Sequence, residues 1–309
     1  YVVFGKADNF DATLNLSSLD GSNGFRLNGV AAYDNSGYSV SSAGDVNGDG
    51  FADLLVGAPR ADSNGNYSGS SYVVFGKASG FDAALNLSSL DGSNGFRLDG
   101  PTGVAPYDYS FAGQVVSSAG DVNGDGFADV IIGTYRAGSK YVVFGKASGF
   151  DATVDLSNLD GINGFRVDGA ETQNAEISSA GDVNGDGYAD LIIGSEFANS
   201  NGSLSGSSYV VFGKASGFSA TIDLASLEKT AGFRLDGAAA IDLSGTSVSA
   251  AGDANGDGFA DLLVGAPNAD PNGNHSGSSY VVFGGNFNGK VTAMGSAGDD
   301  KLKGGKGVD

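Results

Sequence analysis

The residues of this 309-residue chain best placed to do chemistry are aspartates at a fixed spacing. A nine-residue run starts at Asp45, Asp121, Asp182 and Asp253, each with oxygen-bearing side chains at positions 1, 3, 5 and 9 and glycine at position 6. The first copy offers Asp45, Asn47, Asp49 and Asp53, plus the main-chain carbonyl of Phe51 at position 7. The second offers Asp121, Asn123, Asp125, Phe127 and Asp129, and the third Asp182, Asn184, Asp186, Tyr188 and Asp190. The fourth offers Asp253, Asn255, Asp257, Phe259 and Asp261. Calcium takes roughly six to eight oxygen ligands, from carboxylates, amides, carbonyls and water, in a flexible shell. One such turn can wrap one ion, so the pattern predicts about four Ca²⁺, one per copy. Magnesium fits less well, because it demands near-octahedral geometry and holds its own waters. Zinc lacks its preferred ligands: there is no cysteine, and His275 is the single histidine.

The turn opens like an EF-hand loop but does not close like one. An EF-hand ends on a bidentate glutamate at position 12, and here that position holds Val56, Ile132, Ile193 and Val264. The run therefore leads directly into a strand. Asp, Asn and Gly also form surface turns without any metal, but four copies with ligand types in register favour an ion site. Three carboxylates in one tight turn repel each other, which a cation would relieve.

Composition limits what these turns can belong to. Glycine accounts for 53 residues while 40% of the chain is hydrophobic, which suits many short strands joined by tight turns. The net charge of −20 argues against nucleic acid or an anionic membrane as partner. No apolar run reaches the ~18 residues of a membrane span. With no cysteine, disulfide chemistry says nothing about compartment. The chain opens at Tyr1 inside a repeat and stops at Asp309 inside another motif, so it reads as part of a longer protein.

The elements that must carry the turns repeat with them. Tyr-Val-Val-Phe-Gly stands at 1–5, 72–76, 141–145, 209–213 and 280–284, and a period of that size marks a repeat architecture. Each period has a small-residue strand before the turn, an apolar strand after it, a polar loop and then Tyr-Val-Val-Phe. A variable stretch follows, ending in Gly-Phe-Arg. Runs such as Leu54-Leu-Val and Val130-Ile-Ile are apolar without alternation and predict strands buried on both faces. Four antiparallel strands per period, set radially, predict an all-β fold, a β-propeller of four-stranded blades with about four turn-bearing blades. The Ser-Val-Ser-Ser-Ala-Gly strand suits the crowded axis. A compact four-bladed ring with a spare strand and an arc of a larger array both satisfy this order.

These motifs resemble the FG-GAP repeats of integrin α-subunit propellers. Phe-Gly stands at 4–5, 75–76, 144–145, 212–213 and 283–284, and Gly-Ala-Pro at 57–59 and 265–267. The family's calcium loop, Asp-x-Asx-x-Asp-Gly-x-x-Asp, matches all four copies. Gly-Ala-Pro gives way to Gly133-Thr-Tyr135 and Gly194-Ser-Glu196 in the middle copies. The resemblance implies an integrin-α-like propeller over residues 1–288. A linker and a glycine- and aspartate-rich segment then occupy 289–309. This tail resembles the start of the nonapeptide repeat G-G-x-G-x-D-x-U-x of bacterial proteins exported by type I secretion.

Other residues add less. Arg26, Arg97, Arg166 and Arg234 recur in one phase of the repeat, which predicts a structural pairing within each blade. His275, in a polar loop, is expected to be solvated. No nucleophile–base set is visible, and the clustered carboxylates are assigned to metal, so no enzyme activity is expected. The expected function is a calcium-binding adhesive or structural module of a large secreted bacterial protein, extracellular or at the cell surface. Its expected partner is a protein or glycan ligand. Carbohydrate binding, or assembly into a filament or surface layer by completing a neighbour's blade, are the alternatives.

Overall fold

The computed structural model describes residues 1–7, 11–102, 109–135, 138–169 and 176–287. The 289–309 segment and its expected nonapeptide repeat lie outside the described residues. The chain opens with β1 (Val2–Val3) paired to β2 (Gly24–Asn28). The first complete blade runs through β3 (Val40–Gly44), β4 (Asp53–Ala58), β5 (Ser70–Val74) and, after a short β6 (Ala84–Asn86), β7 (Gly95–Asp99). The second contains β8 (Val115–Gly120), β9 (Asp129–Gly133), β10 (Lys140–Val143) and, after β11 (Thr153–Asp155), β12 (Gly164–Asp168). The third contains β13 (Ile177–Gly181), β14 (Asp190–Ser195), β15 (Ser207–Val211) and, after β16 (Thr221–Asp223), β17 (Gly232–Asp236). The last sheet is β18 (Ser247–Gly252), β19 (Asp261–Ala266) and β20 (Ser278–Val282).

Each complete blade is an antiparallel meander, as the repeat order predicts. The nine-residue turns join first strand to second in every case. One residue before each turn the ladder slips, between Ser42/Gly44, Ser118/Gly120, Ser179/Gly181 and Ala250/Gly252. The glycines there lie at φ +78, +76, +73 and +66, a region open to glycine at little cost. The bulge bends the chain out of the sheet and into the turn.

In the three complete blades the apolar second and third strands are buried on both faces. Leu55 and Val73 share a core with Val130 and Ile132 of the next blade. Ile131 and Val142 share the next with Leu191 and Ile193, and Ile192 and Val210 the last with Leu262 and Val264. Alternate residues of one strand thus feed two cores, which explains why these runs do not alternate in polarity.

Beyond the expected four strands, blades gain a short outer one from the following repeat. β6 runs parallel to β2, β11 to β7, and β16 to β12. Behind each, three phenylalanines close the outer edge, as in Phe144, Phe165 and Phe218, where the last two stack at 4.7 Å. The expected structural role of the arginines holds in three blades, where Arg97, Arg166 and Arg234 pair with Asp99, Asp168 and Asp236 at 2.6–2.7 Å. Residues i and i+2 share a strand face, so the pair forms within one strand. At β2 the partner position is Asn28.

First strands β3, β8, β13 and β18 pack one after another along the inside. Of the two arrangements left open by the sequence, the structure adopts the arc. Val40 at one end is 67% exposed, whereas its counterparts Val116 and Ile177 are buried. His275 is exposed, as expected.

Candidate metal centre

Each turn folds around its first aspartate. In the first copy Gly48 and Asp49 donate main-chain N–H bonds to Asp45 Oδ1 at 2.7 and 3.1 Å, and Gly50 donates to Oδ2 at 2.9 Å. Asp49 N–H also reaches Asn47 Oδ1 at 3.0 Å, Phe51 N–H reaches Asp49 Oδ1 at 2.9 Å, and Asn47 Nδ2 donates to Asp49 Oδ2 at 3.0 Å. The same bonds recur in the turns at Asp121, Asp182 and Asp253. Glycines at positions 4 and 6 hold positive φ, for example +73 and +87 at Gly48 and Gly50. That conformation lets three successive amides point inward.

The position-9 aspartate is set apart. Asp53, Asp129, Asp190 and Asp261 are fully buried. Asp53 Oδ2 accepts from Val46 N–H and Oδ1 from Gly76 N–H, both at 2.8 Å, so this residue locks the turn onto the Phe-Gly of its blade. Asp129, Asp190 and Asp261 do likewise with Gly145, Gly213 and Gly284. Burial pushes Asp53 up to about 6, and Asp129 and Asp190 to about 7, against the two main-chain donors. The nearby charges acting on each are two further aspartates of its own turn, which push the same way.

This chemistry suits a hard cation. A buried carboxylate beside two others, with no basic side chain among the charges acting on it, is what a divalent ion would hold ionised. An oxygen accepting one N–H keeps a second lone pair for a metal. Among the described residues, carboxylate and imidazole groups do not by themselves gather in threes at metal-binding range. A site in these turns therefore draws on the asparagine amide oxygen and the position-7 carbonyl as well. All twenty candidate ligand residues lie together within their own turns, four sets of five.

A link between turns escapes any inspection of one copy. The position-8 amide of each turn donates to the position-1 carbonyl of the turn before it: Ala128 to Asp45, Ala189 to Asp121 and Ala260 to Asp182, each at 2.9 Å. The position-7 ring lies over the position-4 glycine of that same preceding turn, where a Cβ on Gly48, Gly124 or Gly185 would strike Phe127, Tyr188 or Phe259. The turns thus form a continuous ribbon across the blades. The signal for it was the recurrence of Gly at 4, an aromatic at 7 and Ala at 8 in every copy.

Fold and site together define an all-β propeller whose neighbouring blades are coupled through acidic turns. The chain belongs to the FG-GAP repeat family, whose model matches residues 36–74, 105–149, 174–211 and 244–282, about half of the sequence. It is 31% identical over 160 residues to integrin alpha-PS5 of Drosophila melanogaster, covering 49% of this chain and 14% of that protein. It is 30% identical over 190 residues to integrin alpha-V of Gallus gallus, covering 58% and 16%. Phosphatidylinositol-glycan-specific phospholipase D of Bos taurus is 30% identical over 186 residues, covering 56% and 20%. The chain thus spans 14% to 20% of the length of these curated relatives. Among the described residues, no helix is long and apolar enough to cross a membrane.

Proposed function

We propose that this chain is a calcium-stabilised, non-catalytic propeller module that binds a protein ligand outside the cell, as part of a larger exported bacterial protein. The observation that carries the reading is the fourfold recurrence of one donor set at one structural position. Asp45, Asn47, Asp49, the Phe51 carbonyl and Asp53 would hold the first ion, and the corresponding sets the other three. The similarity to integrin alpha chains supports adhesion, and the resemblance of the 289–309 segment to exported repeats supports secretion. Extracellular modules bind calcium with Kd of roughly 10⁻⁴–10⁻³ M. Sites of that strength stay empty in the cytosol and fill outside, so binding energy becomes folding energy after export.

Titration calorimetry with calcium should count about four ions per chain, and a chelator should lower the melting temperature. Heat traces without binding in millimolar calcium, together with a chelator-insensitive Tm, would sink the reading.

A second reading, carbohydrate binding, has one observation in its favour. Tyr67, 39% exposed, makes an edge contact with Tyr109 at 5.1 Å and stacks on Phe111 at 5.4 Å, where the first and second blades meet. Aromatic faces of this kind suit sugar rings, and a glycan array probed in calcium buffer separates the two readings.

A further inference from the structure

At each junction between successive turns, one peptide unit serves both. The Phe127 carbonyl is a candidate ligand of the second turn. The amide across the same peptide bond, Ala128 N–H, donates to the Asp45 carbonyl of the first turn at 2.9 Å. The Asp45 peptide carries the contact further, because its own amide, Val46 N–H, donates to Asp53 Oδ2 at 2.8 Å. A hydrogen-bonded line therefore runs from a donor of the second turn, through two planar peptides, to the buried carboxylate of the first. The same line joins the third turn to the second, from Tyr188 through Ala189 and Asp121 to Val122 and Asp129. It joins the fourth to the third, from Phe259 through Ala260 and Asp182 to Val183 and Asp190.

A second line runs beside the first. Asp129 Oδ1 accepts from Gly145 N–H at 2.9 Å, and the next amide, Lys146 N–H, donates to the Val46 carbonyl at 3.0 Å. That carbonyl belongs to the peptide leading into Asn47, the position-3 donor of the first turn. Lys214 on Val122 and Gly285 on Val183, both at 2.9 Å, repeat the contact at the other two junctions. The opening half of each turn is thus held by the closing half of the turn after it and by the Phe-Gly locked to that turn.

We infer that the four turns take up calcium as a coupled series, a loaded turn favouring the loading of its neighbours through these shared peptides. The inference rests on the calcium reading above. With its carbonyl on a cation, the 127–128 peptide is polarised and Ala128 N–H becomes a stronger donor, as hydrogen bonds in a chain strengthen one another. The tilt of that peptide is then fixed, and with it the Asp45 carbonyl it holds. Coupling through space has the opposite sign. An empty turn keeps three uncompensated carboxylates, whereas a loaded one has two of those charges offset and attracts a neighbour's ion less. Salt weakens that second effect, with a screening length of about 8 Å at physiological strength.

Calcium titration of the 309-residue chain, followed by NMR at physiological salt, reads each turn separately through the amides of Gly50, Gly126, Gly187 and Gly258. Asp125→Ala removes one donor of the second turn, at an exposed residue whose side-chain hydrogen bonds stay within that turn. The midpoints at Gly50 and Gly187 should then rise at least about fivefold, since coupling between two sites is reciprocal. That at Gly258, two turns away, should rise by less. Asp186→Ala repeats the test one turn on, raising the midpoints at Gly126 and Gly258, should Asp125→Ala fail to fold. Suppose all four glycines of the wild type respond to calcium, yet the neighbouring midpoints are unchanged or lowered in the variant. That result overturns the coupling and leaves the calcium sites standing. A wild-type chain in which none of the four responds overturns the calcium reading itself, and the coupling with it.

Discussion

Gly124 lies at φ +73 beneath the ring of Tyr188, whereas Gly126, two residues on, lies at φ +90 with open space around the point where a Cβ would stand. Both positions charge an L-residue for left-handed backbone, about 1–2 kcal/mol. Only Gly124→Ala must also displace a ring packed from the neighbouring blade, which costs about 1–3 kcal/mol more. Urea denaturation of the two variants should therefore show Gly124→Ala as the less stable by that margin. Equal losses would mean that the aromatic cover contributes nothing. The oxygen-bearing residues that fold the turn were legible from sequence, because positions 1, 3, 5 and 9 carry the same residue types in all four copies. The ring over Gly124 was not, since it depends on which turn lies next in space. The buried locking role of Asp53 was hidden for a similar reason: its two amide partners, Val46 and Gly76, lie on opposite sides of it in sequence.

In β10 one residue departs from the pattern of its sister strands. Lys140 stands where β5 and β15 have Ser71 and Ser208, and it is 1% exposed, with Nζ donating to the Thr134 carbonyl at 3.3 Å. Burial pulls Lys140 down from 10.5 to about 8, with attraction from Glu176 as a smaller opposing effect. Below pH 8 both folded and unfolded chains carry the proton, and the fold bears the full desolvation cost. Between about 8 and 10.5 the unfolded chain binds more protons than the folded one, so stability should rise with pH, by roughly 3 kcal/mol in all. Lys140→Met should lack that rise, and denaturation at a series of pH values, taken as the difference between the two proteins, isolates it from the tyrosines. A parallel pH profile in the variant would contradict the burial of charge. The main strands around Lys140 were plain in sequence because an apolar run that fails to alternate fits little except a doubly covered strand. The outer strands β6, β11 and β16 were not. Three residues such as Thr-Val-Asp carry no period, and their partners belong to the preceding repeat.

Over the whole molecule, stability should grade from the ends to the middle. Blades of a repeat array contact only their neighbours, so each contributes its own term and one for each interface it shares. β9 and β14 have a packed core on both faces, with Ile131, Ile132, Ile192 and Ile193 at 0% exposure, while β19 and β20 leave Leu263 and Val281 open on one side. Whether the blades close was not readable from sequence, because the rotation between blades is a sum over packing contacts and belongs to no single motif. An open arc has a measurable consequence that a closed ring lacks. Native-state hydrogen exchange in calcium should find amides of β9 and β14 opening only with global unfolding. Those of β19 and β20 should exchange through a cheaper, local release of the last sheet. Uniform protection from β4 to β20 would mean that the first and last blades support each other, and an arc would be the wrong description.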